Sequence, residues 1–156
     1  MSATATLYDW LLFLHIAAAM VWVGGAVLLG ALVTVVRRDR EPEAVARFVA
    51  SLRFVGPRVL APATIAVVGL GVWMVLNSAA WSFSQLWVQL ATGLFAAAFV
   101  IGAAFQSRTA IGADRAAQLG DHAEALRQLT RWSWGYRAIV VLLVVAVWDM
   151  VFKPGL

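Results

Sequence analysis

Apolar residues run through this chain in four long blocks, and polar residues are largely confined to the stretches between them. The blocks are residues 10–36, 59–76, 86–106 and 134–152. Each is close to or above the ~20 apolar residues that a helix needs to cross the hydrocarbon core of a bilayer. The pattern predicts an all-α integral membrane protein, a bundle of four transmembrane helices in one domain over residues 1–156.

The positions of the charges predict how this bundle is oriented. All eleven arginines lie in or at the edges of the two stretches that join the first block to the second and the third to the fourth. The connection 77–85 carries no charge. Because basic residues accumulate on the cytoplasmic side of membrane proteins, we expect both arginine-rich stretches in the cytoplasm. Both termini are then expected outside, on the extracytoplasmic face of a bacterial inner membrane.

Local signals within the basic stretches predict further helices. Residues 43–55 place apolar side chains on one face at helical spacing, and Pro42 suits a first helical position. We therefore expect a short amphipathic helix on the cytoplasmic membrane surface, with Gly56–Pro57 breaking the chain before the second span. In the other stretch, Gly120 is expected to stop a helix and Asp121 to cap the next one.

Composition supports a membrane protein and excludes several other classes. Hydrophobic residues make up 63% of the chain and charged residues 13%, against about 25% charged in an average soluble domain. The chain has no cysteine, which excludes disulfides and thiolate metal sites. The arginines are dispersed as membrane topology requires, which argues against a nucleic-acid site. The expected partners are the lipid bilayer, a second copy of the chain and a membrane redox protein.

His15 is the one ionisable side chain inside the first apolar block. An ionisable residue at membrane depth is costly and marks a candidate functional position. Neutral imidazole is the commonest metal ligand among side chains, and an axial haem ligand needs an imidazole nitrogen in an apolar pocket. Ala18 and Ala19 take little room on the same face, and Trp22 returns to that face and is expected to floor a cavity.

Three interpretations of His15 remain open at this point. It ligates a cofactor or metal, it handles protons or contacts a substrate, or it bonds across the bundle and binds nothing. Met74 and Met150 lie near the outer ends of their helices, at depths comparable with His15, and a thioether binds haem iron or Cu(I). The alternative for both methionines is core packing. His122 belongs to the cytoplasmic capping region, too far from His15 to join it.

The last helix ends with an acid and a base, Asp149 and Lys153, four residues apart. This spacing favours an ion pair, with Lys153 extending toward the headgroups. The alternative is that both line the mouth of the outer cavity, where Lys153 holds a propionate or carboxylate.

The first helix resembles that of a bacterial membrane superfamily, on the strength of His15, Ala17–Ala19, Trp22 and Gly24–Gly25. Members include the copper-resistance protein D domain, the HemJ-type protoporphyrinogen oxidases and a group of small four-helix integral membrane proteins. The ending 150–155 is similar to theirs, as is the glycine-rich second helix introduced by a proline.

This resemblance implies candidate cofactors. In HemJ-type enzymes the first-helix histidine is associated with b-type haem, and His15 is the matching residue. Those enzymes also carry an Arg…Asn-Glu…Pro pattern before the last helix. The corresponding stretch here, 131–136, has no Asn, Glu or Pro, so the likeness does not extend to porphyrinogen oxidation. The copper-handling relatives imply His and Met ligands.

Three functional hypotheses follow. The first is a membrane-embedded b-type haem protein with a redox role, and its expected cofactor-binding residues are His15, Trp22, Met74 and Lys153. The second is a copper-binding protein, with His15, Met74 and Met150 as ligands. The third is a non-catalytic accessory subunit. The sequence decides neither catalytic residues nor whether the protein is an enzyme.

Overall fold

The computed structural model describes residues 6–156, and residues 1–5 of the expected domain lie outside this range. Its helices are α1 (Leu7–Asp39), α2 (Pro42–Val55), α3 (Ala61–Leu76), α4 (Leu86–Val100), α5 (Ser107–Gln118) and α6 (His122–Phe152). Two π-helical turns, Gly56–Leu60 and Ile101–Gln106, join α2 to α3 and α4 to α5. The chain thus forms four continuous helices of 31 to 35 residues, each long and apolar enough to span a membrane, which confirms the expected helical class.

The helix ends use the signals that the sequence contains. Thr6 and Asp9 cap the start of α1 reciprocally, each side chain accepting the other's backbone N–H. Asp121 caps α6, its carboxylate accepting the backbone N–H of Glu124 at 3.0 Å. Gly120 follows α5 with a φ of 75°, a left-handed conformation that glycine adopts freely and that ends the helix as expected.

The expected break at Gly56–Pro57 does not occur. The backbone N–H of Ala61 instead donates to the carbonyl of Gly56, five residues earlier. Proline breaks a regular α-helix because it has no N–H and its ring crowds the preceding turn. A π turn widens the helix locally and accommodates the ring. Residues 42–76 are therefore one helix of 35 residues, not a surface helix followed by a separate span.

The apolar face of α2 is buried within the protein. Val45, Phe48 and Val49 are each at most 7% exposed, and the Phe48 ring meets Trp132 of α6 edge-on, with centroids 5.9 Å apart. This face packs against α5 and α6. Only the opposite face of α2 remains for contact with lipid or solvent.

We call the end of the bundle that carries the arginines the basic end, and here the four helices close around a core. Helices α1, α2, α5 and α6 each pack against the next, and α6 returns to α1. The core residues include Val33, Val49, Ala113, Ala125 and Leu129, none more than 1% exposed. Small residues at Ala113 and Ala125 bring the α5 and α6 backbones close together.

The opposite end, which holds Thr6, the 77–85 connection and Leu156, is called the terminal end, and its helices form a more open arrangement. Here α1 and α6 are the central pair, with α3 packed on α1 and α4 packed on α6. Over residues 6–156, no Cα atom of α3 comes within 8 Å of one in α4 or α6. The contact between α2 and α5 therefore does not continue between α3 and α4 beyond the π turns.

Large apolar side chains cover the outside of the four helices. Met20 is 70% exposed, Ile65 72% and Val151 67%. Exposed side chains of this kind are unfavourable in water and suit the hydrocarbon core of a bilayer. The fold is that of a membrane-embedded helical bundle.

Candidate functional site

His15 is buried where α1 packs against α3, with 6% of its surface exposed. Gly71 of α3 faces the ring, and an added Cβ there would lie 3.3 Å from Cε1 and 3.6 Å from Nδ1 of the imidazole. The ring also lies near the backbone carbonyl of Val67, one turn earlier on α3. Because Gly71 has no side chain, the imidazole can reach the α3 backbone.

The Nδ1 atom of His15 is buried and has no hydrogen-bond partner among the residues that the structure describes. A buried Nδ1 without a partner is open to a ligand when the ring is neutral and carries its proton on Nε2. Histidine ligands of metals often bind through one nitrogen while the other donates to a carbonyl or carboxylate.

Trp22 lies two turns deeper on α1 than His15, and its ring reaches across the bundle to α4. Its ring meets Phe95 of α4 at 6.1 Å between centroids and an interplanar angle of 65°. Phe95 stacks in turn on Phe99. The aromatic contact therefore spans the bundle between α1 and α4, about 10 Å deeper than His15.

The depths of the two methionines follow from the helix packing. Met74 lies one turn beyond Gly71 on α3 and so shares the face that meets α1. Gly30 of α1 faces Tyr136 of α6, and the two helices are antiparallel. His15 precedes Gly30 by about as many residues as residue 151 follows Tyr136, so His15 and residue 151 lie at about the same depth. Met150 is thus at the same depth as His15. Both methionines are partly buried.

Asp149 is the most deeply buried acidic residue at the terminal end, with 1% of its surface exposed. Neither carboxylate oxygen has a hydrogen-bond partner within the range 6–156. Its depth along α6 is also close to that of His15. Burying a carboxylate without a partner costs folding free energy. Asp149 is therefore a second candidate functional group, in addition to the imidazole of His15.

Lys153 does not form the expected ion pair with Asp149. Its ammonium group lies over two indole rings, 5.2 Å from the centroid of Trp81 and 5.8 Å from that of Trp87. Trp81 also donates its indole N–H to the hydroxyl of Tyr8 at 3.0 Å. The lysine therefore belongs to an aromatic cluster that covers the terminal end of the bundle.

Sequence reasoning missed two groups. Gly71 defines the environment of His15, and the glycine-rich composition of the second span was the only signal for it. Gln106 and Tyr136 are buried with side-chain polar atoms that lack partners in the described chain; they lie deeper, near the second π turn.

His122 is exposed at the first turn of α6, as expected. No cluster of three or more His, Cys, Asp or Glu side chains occurs in residues 6–156.

Comparison with known proteins gives one result at the level of the family. No curated protein and no solved structure matches the chain. A family model described as predicted integral membrane protein (DUF2269) matches residues 9–154, which include nearly all of the four long helices. The chain therefore belongs to the DUF2269 family of predicted integral membrane proteins.

Proposed function

We propose that this protein binds haem b in the terminal half of its bundle, with His15 as an axial ligand, and that it takes part in electron transfer. The observation that carries the proposal is the buried imidazole whose Nδ1 has no partner over the described range. Bound there, haem b would supply one-electron redox chemistry. The chain supplies the ligand, its orientation and an environment that excludes water.

The surroundings of His15 set the conditions for binding such a group. The absence of a side chain at Gly71 lets the ring pack against α3, near the Val67 carbonyl. Because the Cε1–Nδ1 edge of the ring faces Gly71, haem binding at Nδ1 requires the ring to turn or α3 to shift.

The other expected cofactor residues have separate roles in this proposal. Trp22, in contact with Phe95, forms the deep boundary of the site. Met74, on the face of α3 that meets α1, would be the second side chain to hold the haem iron. Lys153 lies at the terminal mouth, where a lysine can pair with a haem propionate. This last role requires Lys153 to leave the indole rings of Trp81 and Trp87.

The resemblance to the superfamily of copper-resistance protein D and HemJ-type proteins supports haem at His15. It does not support porphyrinogen oxidation, because the stretch 131–136 departs from the HemJ pattern. We place the protein in a bacterial inner membrane with the basic end in the cytoplasm and both termini outside, because eleven arginines lie toward one end. The expected protein partners are a second copy of the chain and a membrane redox protein.

Copper is the alternative ligand, and the position of Met74 favours it. A thioether and an imidazole suit Cu(I), and Met74 and Met150 both lie near the depth of His15. A protein that binds neither haem nor copper would be an accessory subunit, in which His15 serves only to pack α1 against α3.

An absorption spectrum with metal analysis tests the proposal. The protein is expressed in haem-replete cells, purified in a neutral detergent and compared with His15→Ala and His122→Ala. We expect a Soret band in the wild type and in His122→Ala, which replaces the exposed histidine, and its loss in His15→Ala. Copper without a Soret band, reduced in the pair Met74→Leu and Met150→Leu, would favour the alternative. A protein without colour or copper would refute both.

A further inference from the structure

A cluster of arginines at the basic end forms a pocket between the end of α1 and the first half of α6. The cavity has a volume of about 420 Å³ and is lined by Arg37, Arg40, Leu126, Arg127, Thr130 and Arg131, which we call the arginine pocket. Four of these six side chains are cationic and none is acidic. The pocket is open on one side rather than enclosed, and its lining carries a net positive charge.

Arg37 is held in this pocket by neutral groups. Its Nε donates to the hydroxyl of Thr130 at 3.2 Å and its Nη1 to the hydroxyl of Ser133 at 2.7 Å. Ser133 is only 1% exposed, so this bond fixes the guanidinium against α6. Hydroxyl acceptors orient the group without neutralising it, and the positive charge remains available to a ligand.

One carboxylate, that of Glu124, lies close to two of the remaining arginines of the pocket, Arg127 and Arg131. Arg127 pairs with Glu124 at 2.8 Å. Within residues 6–156, Arg37, Arg40 and Arg131 form no salt bridge with a carboxylate. Guanidinium groups bind phosphate oxygens through short, charge-assisted and often bidentate hydrogen bonds. Three such groups around one cavity are suited to an anion with several oxygen acceptors.

The depth of the pocket agrees with a phosphate at the membrane surface. About 20 residues of helix cross the ~30 Å hydrocarbon core. If one boundary of the core lies at Lys153, twenty residues of α6 place the other boundary near Ser133. Residues 126–131 then lie about 3–10 Å beyond that boundary, at headgroup level. Basic pockets beside transmembrane helices at this level can hold anionic lipid headgroups.

We propose that the arginine pocket binds a phosphate group, carried either by an anionic phospholipid or by a small soluble phosphate. This proposal is independent of the haem proposal, since the pocket lies at the opposite end of the bundle from His15. The phosphate oxygens accept hydrogen bonds from Arg37, Arg40 and Arg131. The Thr130 hydroxyl, which donates to the Leu126 carbonyl and accepts from Arg37, holds Arg37 in position. Leu126 contributes an apolar wall that suits the start of an acyl or glycerol chain.

Two binding assays distinguish the sources of the phosphate. Delipidated protein in neutral detergent is offered phosphatidylglycerol or phosphatidylcholine, and bound lipid is counted by native mass spectrometry. The same protein, free of lipid, is titrated with inorganic phosphate and pyrophosphate by calorimetry. Retention of one phosphatidylglycerol per chain, without binding of the inorganic ions, assigns the pocket to a lipid. Saturable binding of phosphate or pyrophosphate assigns it to a soluble ligand.

The matched variants are two pairs that remove the same charge. Arg40→Gln with Arg131→Gln changes the pocket, and neither side chain forms a hydrogen bond in the described chain. The control pair, Arg38→Gln with Arg47→Gln, changes two arginines at the basic end that do not line the pocket. We expect the first pair to weaken binding at least tenfold and the second to leave it within about twofold; Arg131→Gln alone serves if the first pair fails to fold. Absence of binding of phosphatidylglycerol, phosphate and pyrophosphate alike, or an equal loss in both pairs of variants, would overturn the proposal.

Discussion

At the scale of single residues, the environment of His15 depends on one glycine. The imidazole reaches the α3 backbone only because Gly71 has no side chain, and a Cβ there would lie 3.3 Å from Cε1. A Cβ added at Gly69, two residues earlier, would have no neighbouring atom within 4 Å, so this glycine faces open space. Two glycines in the same helix therefore have different physical roles.

We predict that Gly71→Ala destabilises the protein by about 1–3 kcal/mol, the usual cost of adding a methyl group to a close contact. The imidazole must move away from Val67, so any Soret band is expected to shift as well. Gly69→Ala is the control and should be neutral or stabilise the helix by up to about 1 kcal/mol. Thermal unfolding in detergent measures both, and equal stabilities would mean that His15 does not pack on α3 as described.

At the scale of helices, two of the four long helices contain a π turn and continue through it without breaking. A π turn contains one more residue than the α-helical turn it replaces. The helical faces before and after it can therefore stay in register although the helix bends. In this protein the turns separate the closed basic end from the terminal end, where α3 and α4 are not in contact.

We predict that deleting Ala103, inside the second π turn, yields a folded protein with a modestly lower melting temperature. Removal of the extra residue converts the turn to α-helix and keeps both faces aligned. Deletion of Ala96, in the regular part of α4, rotates one part of the helix by about 100° relative to the other and should abolish folding. Size-exclusion chromatography and circular dichroism compare the two, and equal damage would contradict this role for the turn.

The sequence predicted the helices better than their contacts. Hydropathy and charge are local properties, so the four spans and the caps at Gly120 and Asp121 could be recognised residue by residue. The continuity through Gly56–Pro57 could not, because whether a proline breaks a helix depends on the packing around it. The pairing of α3 with α1 was also hidden, since side chains that face lipid and side chains that face protein are equally apolar.

The candidate site was predictable only in part, for similar reasons. The burial of His15 was predictable because an ionisable side chain at membrane depth almost always faces the interior of the bundle. The spacing of Asp149 and Lys153 favoured an ion pair, but the lysine instead lies over Trp81 and Trp87. That contact depends on a loop whose position no local pattern encodes. The lack of a partner for Asp149 within residues 6–156 is likewise a property of the packed bundle.

At the scale of the whole molecule, the two ends of the bundle differ in charge, packing and proposed role. The basic end is closed and contains the arginine pocket. At the terminal end α3 and α4 are not in contact, and this end contains His15 and Asp149. This division places the proposed cofactor site and the proposed phosphate site on opposite sides of the membrane.

We predict that single cysteines introduced at the two ends react with an impermeant maleimide from opposite sides of the membrane. The chain has no native cysteine, so the unmodified protein is the control. Ser84→Cys and Leu156→Cys should label in intact spheroplasts, because both lie at the terminal end. Leu119→Cys, in the turn between α5 and α6, should label only after lysis. Labelling of all three from one side would contradict four membrane crossings.

Chemical rescue of a cavity variant tests the role of His15 most directly. His15→Gly removes the ring and leaves space that imidazole from solution can enter. We predict that the wild type shows a Soret band, that His15→Gly lacks it, and that added imidazole restores it. A Soret band that survives unchanged in His15→Gly, or a wild type that takes up no haem, would contradict the assignment of His15 as the axial ligand.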